Sequence, residues 1–129
     1  MLRVAVRRRD ADQCRYCRLR QVGQASVFHI DHINPRSKGG ATVAENLALQ
    51  CPHCSLRKSD KIDAIDPETG LSVPLFHPLQ QNWTEHFAHR ADGVRIGLTP
   101  IGRATVAAMR MNDPIPQAAR AIQIMLGIL

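Results

Sequence analysis

Aromatic side chains are scarce in this chain of 129 residues, which has 3 Phe, 1 Tyr and 1 Trp. So few rings exclude a surface on which successive bases of a single-stranded nucleic acid stack. Long apolar runs are also missing, because no stretch approaches the roughly 20 residues that span a bilayer. The arginine-rich start has no apolar region of secretory-signal length. We therefore expect no membrane partner and a cytoplasmic location, where thiols stay reduced.

Positive charge is concentrated in one half of the sequence. The chain has 17 Lys and Arg against 11 Asp and Glu, a formal charge of +6. The net charge is +7 for residues 1–61 and −1 for residues 62–129. Clustered basic side chains favour a polyanionic partner such as nucleic acid. Many small proteins are basic without such a partner, so charge alone leaves both interpretations open.

The four cysteines form two C-x2-C pairs, Cys14 with Cys17 and Cys51 with Cys54. Four thiolates in this spacing can close a tetrahedron around Zn²⁺. A redox-active C-x-x-C motif is the alternative, but there are two such pairs and no βαβ pattern surrounds them. The sequence therefore predicts a structural zinc site.

Local sequence patterns predict helices and strands in the first half. Residues 2–13 suit a basic helix that leads into the first cysteine pair. Residues 25–33 and 46–50 have the composition of strands, with proline and glycine turn signals between them. Residues 55–62 have a helical pattern. Two strands followed by a helix are thus expected around the cysteines.

The second half is expected to be mainly helical. Residues 63–81 are predicted to be mostly irregular, and residues 94–98 to form a strand. Helices are predicted to start after Asn82, Thr99 and Asp113, since each is a favoured cap residue. The last helix has an apolar stripe, which predicts either a core face or an interface with another subunit. The stripe consists of Ile115, Ala118, Ala119, Ile122, Met125, Leu126 and Leu129.

A carboxylate and an imidazole adjoin at the end of the first predicted strand. Asp31 can hold a hard divalent cation, and His32 can take a proton from water. Adjacent strand residues point to opposite faces, so the two share one site only if the strand ends or bends near Asp31. Pro35 and the glycines after it make that bend plausible. Taken alone, such a pair is more often an ordinary surface pair.

Several spaced motifs follow one another in the first half of the chain. They are Cys14-x2-Cys17, Asp31-His32-x2-Pro35-Arg36-Ser37-Lys38-Gly39-Gly40, Asn46-Leu47 and Cys51-x2-Cys54-x3-Lys58. Their order resembles the HNH endonuclease family, in its subtype with four zinc-binding cysteines and a C-terminal extension, over about residues 7–61. The resemblance implies an α+β protein in which residues 1–62 form a small ββα-metal module and residues 63–129 form a mainly helical extension.

The resemblance implies a metal-dependent endonuclease that hydrolyses DNA phosphodiester bonds. In this family pattern His32 is the general base that activates water, and Asp31 is a ligand of a catalytic Mg²⁺, Mn²⁺, Ni²⁺ or Zn²⁺ ion. Asn46 matches the middle letter of the motif and holds the loop that orients His32. A turn or cap asparagine is the alternative for Asn46.

Ser55 is a departure from the family, which usually has His or Asn there as the second metal ligand. Ser55 can bind a hard ion directly or through water, which is the interpretation we prefer. Alternatively, His53 or His86 takes its place. A third interpretation is a zinc-stabilised nucleic-acid-binding module with weak or no catalytic activity.

Basic side chains near the predicted site are expected to contact the phosphate backbone of DNA. No recognition-helix motif is present, so such contacts would position a duplex without reading its bases. Solvated surface charge is the alternative for each residue, and RNA is the alternative substrate. Self-association through the last helix is the other expected partnership. The predicted phosphate contacts are Arg36, Lys38, Arg57, Lys58 and Lys61.

Overall fold

The computed structural model describes residues 1–129 and contains five α-helices and three two-stranded antiparallel sheets. Two 3₁₀ helices, Arg36–Lys38 and Ala44–Asn46, lie between the first two strands. The protein is α+β, as predicted, and three of the five helices lie in its second half. None of these helices has the length and apolar character needed to cross a bilayer. In chain order the elements are α1 (Leu2–Asp10), β1 (His29–His32), β2 (Leu47–Gln50), α2 (Pro52–Lys58), β3 (Asp63–Ile65), β4 (Ser72–Pro74), α3 (Trp83–His86), β5 (Phe87–His89), β6 (Arg95–Gly97), α4 (Pro100–Ala108) and α5 (Pro114–Met125).

The first half has the predicted order of two strands followed by a helix. Strands β1 and β2 pair along their full length, with His29 opposite Gln50. Helix α2 starts at Pro52, three residues before the predicted start at Ser55. The earlier start follows from local chemistry, because Cys51 accepts a hydrogen bond from the backbone of the first turn and proline suits the first helical position. The end of β2, the cysteine pair and α2 are therefore continuous.

The second half contains two short hairpins, of which the sequence predicted one strand. The strand predicted at residues 94–98 is confirmed as β6, whereas β3, β4 and β5 were not predicted. Strands β3 and β4 pair within residues 63–81, which were predicted to be mostly irregular. Strand β5 starts at Phe87, directly after the short helix α3, and it pairs with β6. Each of these strands has three residues. A segment that short has no periodicity to distinguish it from a loop.

The predicted helix starts in this half are confirmed. Asn82 accepts a hydrogen bond from the Thr84 amide at the start of α3. Thr99 Oγ1 accepts one from the Gly102 amide at 3.0 Å at the start of α4. Asp113 precedes α5 but makes no side-chain cap bond there. The proline after it is sufficient to favour a helix start at this position.

The two halves share one hydrophobic core. Trp83 Nε1 donates to the Tyr16 carbonyl at 2.7 Å, and Arg95 Nε donates to the Cys17 carbonyl at 2.8 Å. The second half thus packs directly on the backbone of the first cysteine pair. The core comprises Cys14, Tyr16, Cys17, Leu19, Phe28, Leu49, Cys51, Cys54, Phe76, Trp83, Phe87, Met109 and Met111.

Helix α5 turns most of its apolar stripe to solvent. Ile115 is 85% exposed and Met125 is 77% exposed, so the prediction of a core face is wrong for these residues. The buried face of α5 carries Arg120 instead, whose guanidinium donates to the carbonyls of Gly93 at 2.8 Å and Met111 at 2.6 Å. Hydrogen bonds to carbonyls offset the cost of burying this charge. The alternative use of the stripe, self-association, stays a prediction.

Candidate active site

The four cysteines meet in the centre of the core. Their Sγ atoms all lie within 4.8 Å of one another, and all four are buried and free of disulfides. Cys17 Sγ and Cys51 Sγ are 3.8 Å apart. Four sulfurs bound tetrahedrally at about 2.3 Å from zinc are about 3.8 Å from one another. The cluster therefore fits a structural Zn²⁺ ion, as the spacing of the cysteines predicted.

Asp31, His32 and Ser55 line one open cleft of about 330 Å³ that has no hydrophobic residue in its wall. Strand β1 supplies the first two and α2 supplies Ser55. The strand ends at His32, one residue beyond Asp31, and the chain turns away there. The two adjacent side chains thus reach the same cleft. Its other lining residues are Pro35, Arg36, Gln50, Ser59 and Asp60.

Ser55 joins two side chains of β1. Its hydroxyl donates a short hydrogen bond to Asp31 Oδ2, and its Oγ lies 3.0 Å from Nδ1 of His29. His29 and Asp31 are two residues apart, so they lie on the same face of the strand. Sequence reasoning missed His29. The signal that could have found it was the H-x-D spacing, which places both side chains beside whatever packs on that face.

The two histidines proposed as substitutes for the missing ligand lie outside the cleft. His53 Nε2 is 2.8 Å from the carbonyl of Arg110. His86 Nδ1 is 2.6 Å from Oγ1 of Thr99, and its ring packs edge-on against Phe76. Neither of them lines the cleft. Both are engaged with the C-terminal half of the protein.

His32 is held by its neighbours at two points. Its Nε2 lies 2.8 Å from Thr42 Oγ1, and its carbonyl accepts a hydrogen bond from Lys58 Nζ at 3.3 Å. In the tautomer that donates from Nε2 to Thr42, the other ring nitrogen, Nδ1, keeps its lone pair. This arrangement can present a base at a fixed orientation.

Asn46 closes the loop between β1 and β2. Its Oδ1 accepts from the Asn34 amide at 2.8 Å, while its Nδ2 donates to the carbonyls of Asn34 at 3.0 Å and Ala41 at 2.9 Å. The loop closes tightly, since a Cβ on Gly40 would lie 1.8 Å from the Asn34 carbonyl oxygen. Three hydrogen bonds from one side chain thus fix the segment that directly follows His32.

Gln50 brings an unpaired amide to the cleft. The residue is fully buried, and neither its Oε1 nor its Nε2 has a hydrogen-bond partner. It stands opposite His29 on β2 and lines the cleft with Asp31 and Ser55. Buried polar groups are nearly always paired with protein or ordered water. An oxygen-rich cleft with a free amide in its wall fits a hydrated divalent ion.

Four of the five predicted phosphate contacts keep some solvent access. Arg36 is exposed and lines the cleft. Lys38 is exposed, and its Nζ donates to the Asp60 carbonyl at 2.6 Å. Lys61 is exposed and donates to the carbonyl of Arg57, which is partly buried. Arg36 is thus in the cleft wall and Arg57 is on α2, whereas Lys38 and Lys61 lie outside the wall.

Lys58 is placed differently from the other four. It is only 2% exposed, and its Nζ donates to the carbonyls of His32 at 3.3 Å and Lys61 at 3.1 Å. Burial lowers the pKa of the Lys58 ammonium from 10.5 to about 8. Little of this side chain is available to a phosphate. Its contacts instead tie the end of β1 to α2.

The buried Lys58 should make the free energy of unfolding depend on pH in the alkaline range. Between about pH 8 and about pH 10.5 the unfolded chain keeps the lysine proton that the folded protein has lost, so stability rises with pH. We expect the free energy of unfolding to increase by about 2 kcal/mol from about pH 7 to about pH 9.5 through this group. Denaturant titrations of the zinc-loaded protein at several pH values measure it.

Two variants isolate this effect. Lys58→Met removes the titrating group, so its stability should show a smaller rise over the same pH range. Lys61→Met alters an exposed lysine and should keep the wild-type rise. A rise that persists unchanged in Lys58→Met would contradict the assignment.

The profile of the HNH endonuclease family matches residues 14–61. The matched stretch contains all four cysteines and the cleft residues Asp31, His32 and Ser55. The resemblance inferred from the sequence is confirmed for residues 14–61. The match indicates a nuclease or a function related to nucleic acid. No curated protein and no solved structure matches the chain.

Proposed function

We propose that the protein is a metal-dependent endonuclease that hydrolyses DNA phosphodiester bonds with His32 as general base. The observation that carries the proposal is the single polar cleft lined by Asp31, His32 and Ser55. A metal-binding carboxylate and a held imidazole in one cleft are the groups that hydrolysis of a phosphodiester requires. The HNH match over the same residues supports this chemistry.

The roles of the side chains follow from their contacts. With His32 in the tautomer whose Nε2 donates to Thr42 Oγ1, its Nδ1 would take the proton of the attacking water. Asn46 holds the loop that follows His32, and Lys58 donates a hydrogen bond to the His32 carbonyl. Asp31 would hold the divalent ion with help from the Ser55 hydroxyl. When bound, that ion would stabilise the extra charge on the phosphate and on the leaving oxygen.

DNA is the proposed partner because one exposed cation lines the cleft and two more lie on neighbouring segments. Arg36 lines it, and Lys38 and Lys61 lie on the adjoining loop and after the helix. The charge of +7 on residues 1–61 belongs to the same half of the chain. Such contacts neutralise phosphates, so affinity should fall steeply with salt and depend little on base sequence.

A nicking assay tests the function. The zinc-loaded protein is incubated with supercoiled plasmid and Mg²⁺, Mn²⁺ or Ni²⁺, with and without EDTA, and Asp31→Ala is the matched variant. We expect metal-dependent conversion to nicked circles that EDTA abolishes and that Asp31→Ala lacks. Matched DNA and RNA duplexes then compare the two substrates.

The alternative is a zinc-stabilised nucleic-acid-binding module with weak or no catalytic activity, and it predicts the opposite result. The departure at Ser55 is the observation that favours it. Binding of DNA without cleavage under every metal would exclude the enzyme and support this alternative. Preferential cleavage of the RNA duplex would replace DNA as the substrate while keeping the chemistry.

A further inference from the structure

We propose that His29 is a ligand of the catalytic divalent ion and supplies the imidazole that the chain lacks at Ser55. The inference deepens the proposed function and rests on it. It assigns the metal to three donors of different chemistry, namely the His29 imidazole, the Asp31 carboxylate and the Ser55 hydroxyl. Two of them come from β1 and one from α2.

The position of His29 follows from strand geometry. Residues two apart on a strand lie on one face, so His29 and Asp31 both face the helix that carries Ser55. The hydroxyl of Ser55 contacts both of them. Ser55 Oγ therefore lies within hydrogen-bond distance of one donor atom from each of the two β1 side chains. His29 adjoins the cleft through its contact with Ser55 and is not itself part of the cleft wall.

The spacing of the donor atoms suits a metal ion. Neighbouring ligands of a six-coordinate ion with bonds of about 2.1 Å are about 3 Å apart. His29 Nδ1 and Ser55 Oγ are 3.0 Å apart. The separation of these two donor atoms is therefore compatible with a ligand pair on one ion.

Two further features of the structure beside the cleft support a ligand role for His29. Its imidazole has no hydrogen-bond partner other than Ser55, whereas His53 and His86 are bonded to groups of the C-terminal half. Gln50 stands directly opposite His29, and its buried amide is unpaired. That amide can bond water molecules on an ion held by His29. A pairing of His29 with Ser55 alone leaves the Gln50 amide unexplained.

The ligand set determines which metals the site prefers. A site of oxygen ligands alone suits Mg²⁺, whereas an imidazole favours later transition metals. We therefore expect affinity to increase from Mg²⁺ to Mn²⁺ to Ni²⁺, as the general order of divalent ions predicts. If His29 is the source of this preference, removing its imidazole should weaken Ni²⁺ binding much more than Mg²⁺ binding.

Calorimetric titration of the tag-free, zinc-loaded protein with Ni²⁺ and Mg²⁺ tests this. His29→Ala should weaken Ni²⁺ binding at least about tenfold, since even residues that only support a ligand cost that much. His53→Ala is the matched control, because it removes an imidazole from α2 outside the cleft, and it should bind Ni²⁺ as the wild type does. Circular dichroism confirms that each variant is folded.

A second pair of measurements separates a ligand from a residue that only positions Ser55. Pulsed electron paramagnetic resonance of the Mn²⁺-loaded wild type should show coupling to an imidazole nitrogen, and His29→Ala should remove it. In the His29→Ala background, Ser55→His should restore Ni²⁺ binding by returning an imidazole to the site. Wild-type protein without that coupling would overturn the proposal.

The outcomes distinguish this inference from the proposed function. Loss of Ni²⁺ binding in Asp31→Ala but not in His29→Ala would overturn the role of His29 and leave the metal site in place. Unchanged binding in both variants would overturn the metal site and the proposed function together. The expected result is that both variants lose Ni²⁺ binding and that Ser55→His restores it in the His29→Ala background.

Discussion

Replacing His32 with alanine is expected to lower the rate of plasmid nicking by about 10²–10⁴-fold, which is the usual contribution of a general base. The imidazole is the group in the cleft that can accept the proton of the attacking water while its other nitrogen is held by Thr42. Single-turnover nicking with saturating Mn²⁺ measures the change. Binding of Mn²⁺ should persist, because His32 is not among the proposed ligands.

Two further variants make this result specific. Thr42→Val removes the hydrogen-bond partner of His32 but keeps its ring, so we expect a smaller loss of rate and a changed pH profile. His53 lies outside the cleft, so the His53→Ala protein should nick plasmid at the wild-type rate. Nicking by His32→Ala at the wild-type rate would show that another group, or another protein in the preparation, does the cutting.

Removal of the zinc site is expected to unfold the whole chain. Structural zinc contributes apparent binding energies of about 10–16 kcal/mol, as much as the entire stability of an ordinary domain. The sequence alone predicts that Cys51→Ser unfolds the N-terminal half. The structure extends this prediction, because Trp83 and Met109 pack in the same core as the cysteines. Residues 63–129 should therefore lose their tertiary structure with the metal.

The single tryptophan provides the measurement. Trp83 is buried against the Tyr16 carbonyl, so its emission reports the contact between the two halves. Chelation of zinc, or Cys51→Ser, should shift that emission to longer wavelength, and adding zinc back to the chelated wild type should reverse it. About one tightly held zinc per chain is expected from the four-thiolate site. Unchanged emission after complete zinc removal, or two disulfides and no zinc in protein isolated from reducing conditions, would contradict the account.

Features fixed by local chemistry were predictable from the sequence. The spacing of the cysteine pairs limits where they can meet, and the cap residues Asn82 and Thr99 start helices through hydrogen bonds to their own backbone. The strand composition of residues 25–33 predicted β1, although the strand itself is shorter. The cleft that unites Asp31 and His32 follows from the end of that strand.

Features fixed by packing between distant segments were not predictable. The contact of Ser55 with His29 depends on how α2 lies on β1, which no local pattern specifies. Lys58 looks like a surface cation in the sequence but is buried because its ammonium reaches the His32 carbonyl. In α5 the apolar pattern predicts an inward stripe, yet Arg120 takes the inner face because carbonyls there can accept its hydrogen bonds.

The most direct test of the central claim, that a divalent ion in this cleft activates DNA cleavage, is the dependence of the nicking rate on Mn²⁺ concentration. For the zinc-loaded wild type we predict a rate that rises with Mn²⁺ and saturates. The half-maximal Mn²⁺ concentration should match the dissociation constant from a calorimetric titration with Mn²⁺, and Asp31→Ala should show neither nicking nor Mn²⁺ binding. A nicking rate that is zero at every Mn²⁺ concentration, or that does not change with Mn²⁺, would contradict the account.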